Sequence, residues 1–222
     1  MDVPNTIPAE LDHLIITVPD LEAGVAAVEE ATGLRAVSGG SHTGMGTANF
    51  LLGLAPAHWA DGAHTYLEIL GPDPQQEPPA DGTLPLDAHL STGLTLQTWA
   101  IHPRAFLAKI AAANSAGIDF GEVKDMARDT ADGDRLEWRL TTRSPLPHAG
   151  AQPFLIDWAE SVHPAEAALP TLELLEFRVE SPEPEAARQV LEVLGAGDAE
   201  VLEGPECRLR AKLRGPGGVL EF

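Results

Sequence analysis

One unit of strand, proline-marked turn and amphipathic helix recurs three times along this chain, near Leu11–Leu34, Gly93–Gly117 and Leu172–Gly195. Such a repeat restricts the fold strongly, because each copy has an apolar strand face and an apolar helix stripe that must be buried together. In the first copy, LDHLIITVPDLEAGVAAVEEATGL, side chains alternate across the strand. Leu14, Ile16 and Val18 take one face, and His13, Ile15 and Thr17 take the other. Asp20 is a helix-capping residue type, Leu21, Val25 and Val28 fall at helical spacing, and Gly33 supplies the left-handed residue past the helix end. The aliphatic face therefore belongs under the helix. His13 belongs on the opposite face, where a curved sheet has room for a ligand.

Each copy continues into three further strand-like runs. After the first helix these are Arg35–Ser38, Thr47–Leu54 and Thr65–Leu70. The second copy has GLTLQTWAI, a turn at His102-Pro103 and a helix carrying Phe106, Leu107 and Ile110 that stops at Gly117. It then runs through Phe120–Met126, Arg135–Thr142 and Pro153–Trp158. The third begins at Leu172–Val179, turns at Ser181-Pro182 into a helix with Val190, Leu191 and Leu194 inward, and stops at Gly195. It ends with Glu200–Leu202, Cys207–Leu213 and Val219–Phe222. Proline-rich segments, PDPQQEPPADGTLP and HPAEAALP, separate the copies. The pattern predicts an α+β protein of repeated βαβββ modules. Modules at about 11–71 and 92–160 form one paired domain over 1–168, and a third occupies 169–222.

With 222 residues and 44% apolar content, the chain can fill a sizeable core. Its 14 basic and 34 acidic residues give a net charge of −20, which repels nucleic-acid phosphates and anionic lipid, so neither is an expected partner. The opening MDVPNTIPAE has no basic region or apolar core, and no apolar run approaches the roughly 20 residues of a membrane span. The expected location is cytoplasmic. Cys207 is the single cysteine, which excludes an intrachain disulfide and a cysteine-clustered zinc site. There is no GxSxG elbow and no HExxH helix, and SGGSHTGMGTAN lacks the lysine of a phosphate-binding loop.

The threefold βαβββ order, with LDHLIITVPDLE, SGGSHTGMGTANFLL, YLEIL, GDRLEWRLTT and PFLIDWAESVHP, resembles the vicinal oxygen chelate superfamily and its glyoxalase-like domain branch. That resemblance covers nearly the whole chain. It implies two modules paired into one curved, half-open sheet, with a divalent ion held by one side chain from each module's first and last strands. Carried over by position, the ligands are His13 and Glu68 from the first module and Gln97 and Asp157 from the second. A one-residue shift would replace Gln97 by Leu96. Such a set suits Zn, Ni, Mn or Mg, with open positions for two substrate oxygens. The ion would stabilise an enediolate while Glu68 or Asp157 takes and returns the neighbouring proton. The second histidine of the superfamily's extradiol oxygenases has no counterpart here.

Each residue also has a purely structural reading. His13 could be a hydrogen-bonded core histidine, and Glu68 could be paired with Arg139 or Arg143. Gln97 could serve only as a hydrogen-bonding group, and Asp157 as a turn or salt-bridge residue. Trp99 and Trp158 stand as pocket walls or core aromatics. His42 and Asn49 in the glycine-rich segment, with Trp99 and Arg139, are the expected substrate contacts. The leading expectation is a metal-dependent lyase or isomerase acting on a small oxygenated metabolite. The competing one is a metal-free protein that sequesters a small molecule in the same cleft. An unpaired third module with apolar Leu174, Phe177, Val179, Leu213, Val219 and Phe222 further predicts a homodimer closed through that unit.

Overall fold

The computed structural model describes residues 7–56, 59, 65–129 and 135–222. The first six residues and the start of the GDRLEWRLTT segment lie outside them. The first module contains β1 (Leu11–Thr17), α1 (Leu21–Thr32), β2 (Val37–His42), β3 (Thr47–Pro56) and β4 (Thr65–Pro72). The second contains β5 (Thr95–Ile101), α2 (Phe106–Ser115), β6 (Glu122–Asp129), β7 (Arg135–Thr142) and β8 (Phe154–Asp157). The third contains β9 (Thr171–Ser181), α3 (Pro184–Leu194), β10 (Glu200–Glu203), β11 (Arg208–Gly215) and β12 (Gly218–Glu221).

The local signals in α1 act as expected. Asp20 Oδ1 accepts from the Ala23 amide at 2.9 Å, Gly33 is left-handed with φ 75°, and Leu21, Val25 and Val28 are buried. In α2, of the three apolar residues expected on this helix, Phe106 is buried and Ile110 packs on the core, while Leu107 is 60% exposed. The glycine-rich segment is also more ordered than a loop, because Gly40, Ser41 and His42 continue β2 and pair with β3, with Gly39 in the register shift between Ser38 and Gly40.

Hydrogen bonding runs in the order β12-β11-β9-β3-β4-β1-β5-β8-β7-β6, with β2 added on β3 and β10 on β9. The antiparallel pairing of β1 with β5 joins the first two modules, and the parallel pairing of β1 with β4 sets His13 beside Tyr66 and Ile15 beside Glu68. Strand alternation divides the core in two. Leu14, Ile16, Trp99 and Ile101 pack toward the helices, while Ile15, Tyr66, Leu70 and Ala100 belong to the cluster around the cleft.

The third module departs from the expected exposed, self-complementary unit. Residues Thr171–Leu174 of β9 pair in parallel with Gly53–Pro56 of β3 in the same chain. Leu174, Phe177, Val179 and Leu213 are buried in the helix-side core shared with Leu14 and Trp99. The apolar face expected to seek a partner is therefore largely covered within the chain, which removes the physical basis offered for dimerisation. Val219 remains 44% exposed, and Phe222 packs only partly against that core.

Candidate functional site

On the concave side of β1, β4, β6, β7 and β8 lies a cavity of ≈350 Å³. The first module supplies most of its polar wall: His13, Glu68, Asn49, His42 and Tyr66. The second module supplies an aromatic and aliphatic wall, including Met126, Trp138, Leu140, Phe154, Ile156 and Trp158, together with Lys124, Arg128 and Arg143.

The polar wall is one connected row. Asp12 Oδ1 lies 2.6 Å from His13 Nδ1, and His13 Nε2 lies 3.5 Å from Glu68 Oε2. Asn49 Nδ2 donates to Glu68 Oε1 at 2.7 Å and lies 3.4 Å from His42 Nε2, and His42 Nδ1 is 3.0 Å from Thr47 Oγ1. The two Asn49 amide hydrogens thus fit Glu68 and His42. That assignment leaves the His42 Nδ1–H to donate to Thr47. Burial lowers the His42 pKa below its ordinary value; the Glu68 and Asp73 charges oppose that shift and Arg128 reinforces it, so the neutral ring is favoured.

Asp12 is the group that sequence reasoning missed. It sits where the β1–β5 register shifts between Leu11 and His13, so simple alternation does not assign its face. Its carboxylate is 1% exposed and accepts from Trp158 Nε1 at 3.0 Å and His163 Nε2 at 3.1 Å, besides the contact with His13. His163 Nδ1 accepts from the Ala165 amide, which leaves the Nε2–H for Asp12. Burial by itself would raise the Asp12 pKa, but the hydrogen bonds and charges of His13 and His163 outweigh it and hold the carboxyl well below the usual range. An ionised Asp12 fixes the proton of His13 on Nδ1, so Nε2 is the atom presented to the cavity. The sequence signal was a carboxylate directly before His13 in a strand whose other residues are mostly aliphatic.

Tyr66 stacks on His13 with ring centroids 4.5 Å apart. Burial, with the nearby Asp12 and Glu68 charges, raises its pKa well above the ordinary value, so the phenol keeps its proton. No described residue hydrogen-bonds its hydroxyl. Gly39 makes room for the row: a Cβ there would lie 2.2 Å from Asn49 Oδ1.

The other expected site residues lie elsewhere. Gln97 falls within the second β1–β5 register shift, and its Oε1 accepts from Thr17 Oγ1 at 3.4 Å. Asp157 accepts from Arg139 Nε at 2.9 Å and Nη2 at 2.6 Å, and the Arg139 guanidinium lies 5.0 Å from the Phe106 ring of α2. Asp157 and Arg139 therefore occupy the helix side of the sheet; Phe154, Ile156 and Trp158 take the cavity side. Trp99 is a core aromatic, donating to the Ala151 carbonyl at 2.9 Å and packing 4.9 Å from Phe177. The residues do not fit the four-donor ion site implied by the resemblance, because Asp157 turns away from His13 and Glu68 to pair with Arg139, and Gln97 is engaged by Thr17 outside the cavity lining. Among the described residues, no group of three His, Cys, Asp or Glu side chains is arranged to hold a metal. Nor is any helix long and apolar enough to cross a membrane.

A family model described as Glyoxalase-like domain matches residues 11–195. A hypothetical protein from Staphylococcus aureus shares the fold at 18% identity, with a TM-score of 0.58 over 96% of this chain and 84% of that one. An Mn(II)-bound glyoxalase from Novosphingobium aromaticivorans is 14% identical, with a TM-score of 0.47 over 98% and 82% of the two chains. A methylmalonyl-CoA epimerase from Mycobacterium tuberculosis is 17% identical, with a TM-score of 0.38 over 70% and 90%. No curated protein matches.

Proposed function

The chain belongs to the glyoxalase-like domain family, and from that premise we propose that it is an enzyme moving a proton at the carbon beside a carbonyl in a small oxygenated metabolite. The observation that carries this reading is the buried row in which Asp12 meets His13 Nδ1 at 2.6 Å and His13 Nε2 faces Glu68 at 3.5 Å across the cavity wall. His13 Nε2 takes the proton from carbon, and the imidazolium so formed lies between two carboxylates that stabilise it. Asn49 holds Glu68 in place for that task. The electron pair released from the C–H bond moves onto the carbonyl oxygen, where the protonated Tyr66 hydroxyl donates a hydrogen bond. The imidazolium then returns the proton to the carbon framework, completing an isomerisation without an external acid. No step uses an ion.

The aromatic second-module wall supports the alternative of a binding protein without catalysis, and one experiment separates the two. Phenylpyruvate and 1-phenylpropan-2-one are each incubated with the protein in D₂O, and loss of the signal from hydrogens beside the carbonyl is followed by NMR. Exchange above the solvent rate that disappears in His13→Ala and weakens in Tyr66→Phe is the expected result. Binding of either probe without exchange would leave the sequestering reading. Calorimetric titration with Mn²⁺ completes the test: one-to-one binding abolished by His13→Ala would overturn the ion-free mechanism.

A further inference from the structure

We infer that the cavity takes a carboxylic acid whose carboxylate seats on Arg128 while its apolar, ring-bearing body lies against Trp138 and Trp158. Only the placement of its carbonyl near His13 rests on the proposed proton transfer; the anion site stands on separate residues. In β6, alternation brings Lys124, Met126 and Arg128 to the cavity side, a pattern legible in the sequence that the choice of Arg139 passed over. Arg128 is 6% exposed, and its Nη1 is buried with no hydrogen-bond partner among the described residues. A guanidinium buried without a partner is costly, and a native protein retains one where a ligand supplies the counter-charge. Glu68 attracts the guanidinium through space but makes no hydrogen bond to it: its Oε1 is engaged by Asn49 and its Oε2 faces His13.

A second observation points the same way. In a chain with 14 basic residues and a net charge of −20, Lys124 and Arg128 line one cavity with Arg143, which is paired with Asp119 at 2.9 Å, against Glu68 and Asp81. Cations gathered in an apolar cleft focus an attractive field on an entering anion despite the acidic remainder of the surface. The guanidinium fork suits a planar carboxylate, and the cavity of ≈350 Å³ falls in the range of small-molecule sites.

The test is probe binding to the full chain, followed by quenching of Trp138 and Trp158 fluorescence. Phenylpyruvate should bind on the order of tenfold or more tighter than 1-phenylpropan-2-one, which lacks the carboxylate. Arg128→Gln should abolish that difference while leaving the ketone's affinity unchanged and the thermal midpoint no lower than that of the unaltered protein, whereas Arg128→Lys should restore part of the difference. On the unaltered protein, added NaCl should weaken phenylpyruvate binding and leave the ketone unaffected. Equal affinity for the two probes, no binding of phenylpyruvate, or Arg128→Gln retaining the preference would overturn the inference. Phenyl phosphate binding as tightly as phenylpyruvate would overturn the carboxylate assignment in favour of a general oxyanion site. Loss of D₂O exchange with the carboxylate preference intact would count against the proton chemistry alone.

Discussion

Replacing Asp12 by asparagine keeps the shape of the side chain and changes which protons its neighbours can carry. Asp12 Oδ2 accepts from both Trp158 Nε1 and His163 Nε2, at 3.0 and 3.1 Å. Two donors therefore hold the amide oxygen on that side and turn the NH₂ group toward His13 Nδ1. His13 must then accept at Nδ1 and carry its proton on Nε2, which converts the cavity-facing atom from acceptor to donor. Hydrogen bonds to a charged group are worth about 1.5–3 kcal/mol each. Removing the charge from the His13 and His163 contacts costs about twice that, partly offset by relief of Asp12 desolvation, for a net loss of roughly 2 kcal/mol. Urea unfolding should show a lower midpoint at unchanged slope. Proton exchange on any active probe should fall on the order of 10³-fold or more, as expected for the wrong imidazole tautomer. The pH dependence has a fixed sign. Because the folded pKa of Asp12 is depressed, its stabilisation is present above the unfolded value of about 3.9 and is lost as pH falls toward the folded one. The stability gap between wild type and variant should thus persist near neutrality and close only in acid. A variant within about 0.5 kcal/mol of wild type, with unaltered exchange, would refute the role given to Asp12.

Gly39→Ala should displace the Asn49 amide, since the new Cβ would lie 2.2 Å from Asn49 Oδ1; exchange should fall, and Gly39→Ala combined with Asn49→Ala should be no worse than Asn49→Ala alone. His42 has a lowered folded pKa, so the unfolded chain binds the extra proton first and stability should decline as pH drops below about 6.5. Thermal midpoints measured at neutral and mildly acidic pH should show a smaller acid loss in His42→Gln than in wild type, and an unchanged loss would assign it to other groups. Phe177→Ala should cost about 3–5 kcal/mol, because its ring is fully buried against Trp99, while probe affinity at the distant cavity stays the same.

Much of the fold was legible because alternation and helix punctuation are local signals. Asp20, Gly33 and the Leu21–Val25–Val28 stripe define α1, and the parity of His13 and Glu68 identifies the face they share. His42, Asn49, His13 and Glu68, separate in sequence, meet in one row. The failures occur where parity depends on another strand. Gln97 lies in one β1–β5 register shift and Asp12 beside the other, and no single strand reveals the bulge that redirects a side chain. Asp157 is an error of phase: Ile156 and Trp158 line the cavity, so the residue between them turns away. The cis packing of the third module was hidden for a related reason. An apolar strand face states that it must be covered, but not whether the cover comes from its own chain.

The asymmetry of the cavity follows from this division. With the second-module positions occupied by Ala100, Ile156 and Trp158 rather than donors, the proton-handling groups all lie on the first-module side, and the wall facing His13 is apolar. A low local dielectric strengthens the interaction of a protonated His13 with Asp12 and Glu68, and it equally strengthens the pull of Arg128 on an anion. The same apolar wall thus serves chemistry at one end of the cavity and recognition at the other. Introducing a carboxylate on that wall by Ile156→Glu should separate these effects: it adds a third donor facing His13 and Glu68, so Mn²⁺ affinity should rise, while repulsion weakens phenylpyruvate more than the neutral ketone. Unchanged Mn²⁺ affinity in a folded Ile156→Glu protein would refute the claim that the missing second-module donor is what keeps the site from assembling an ion.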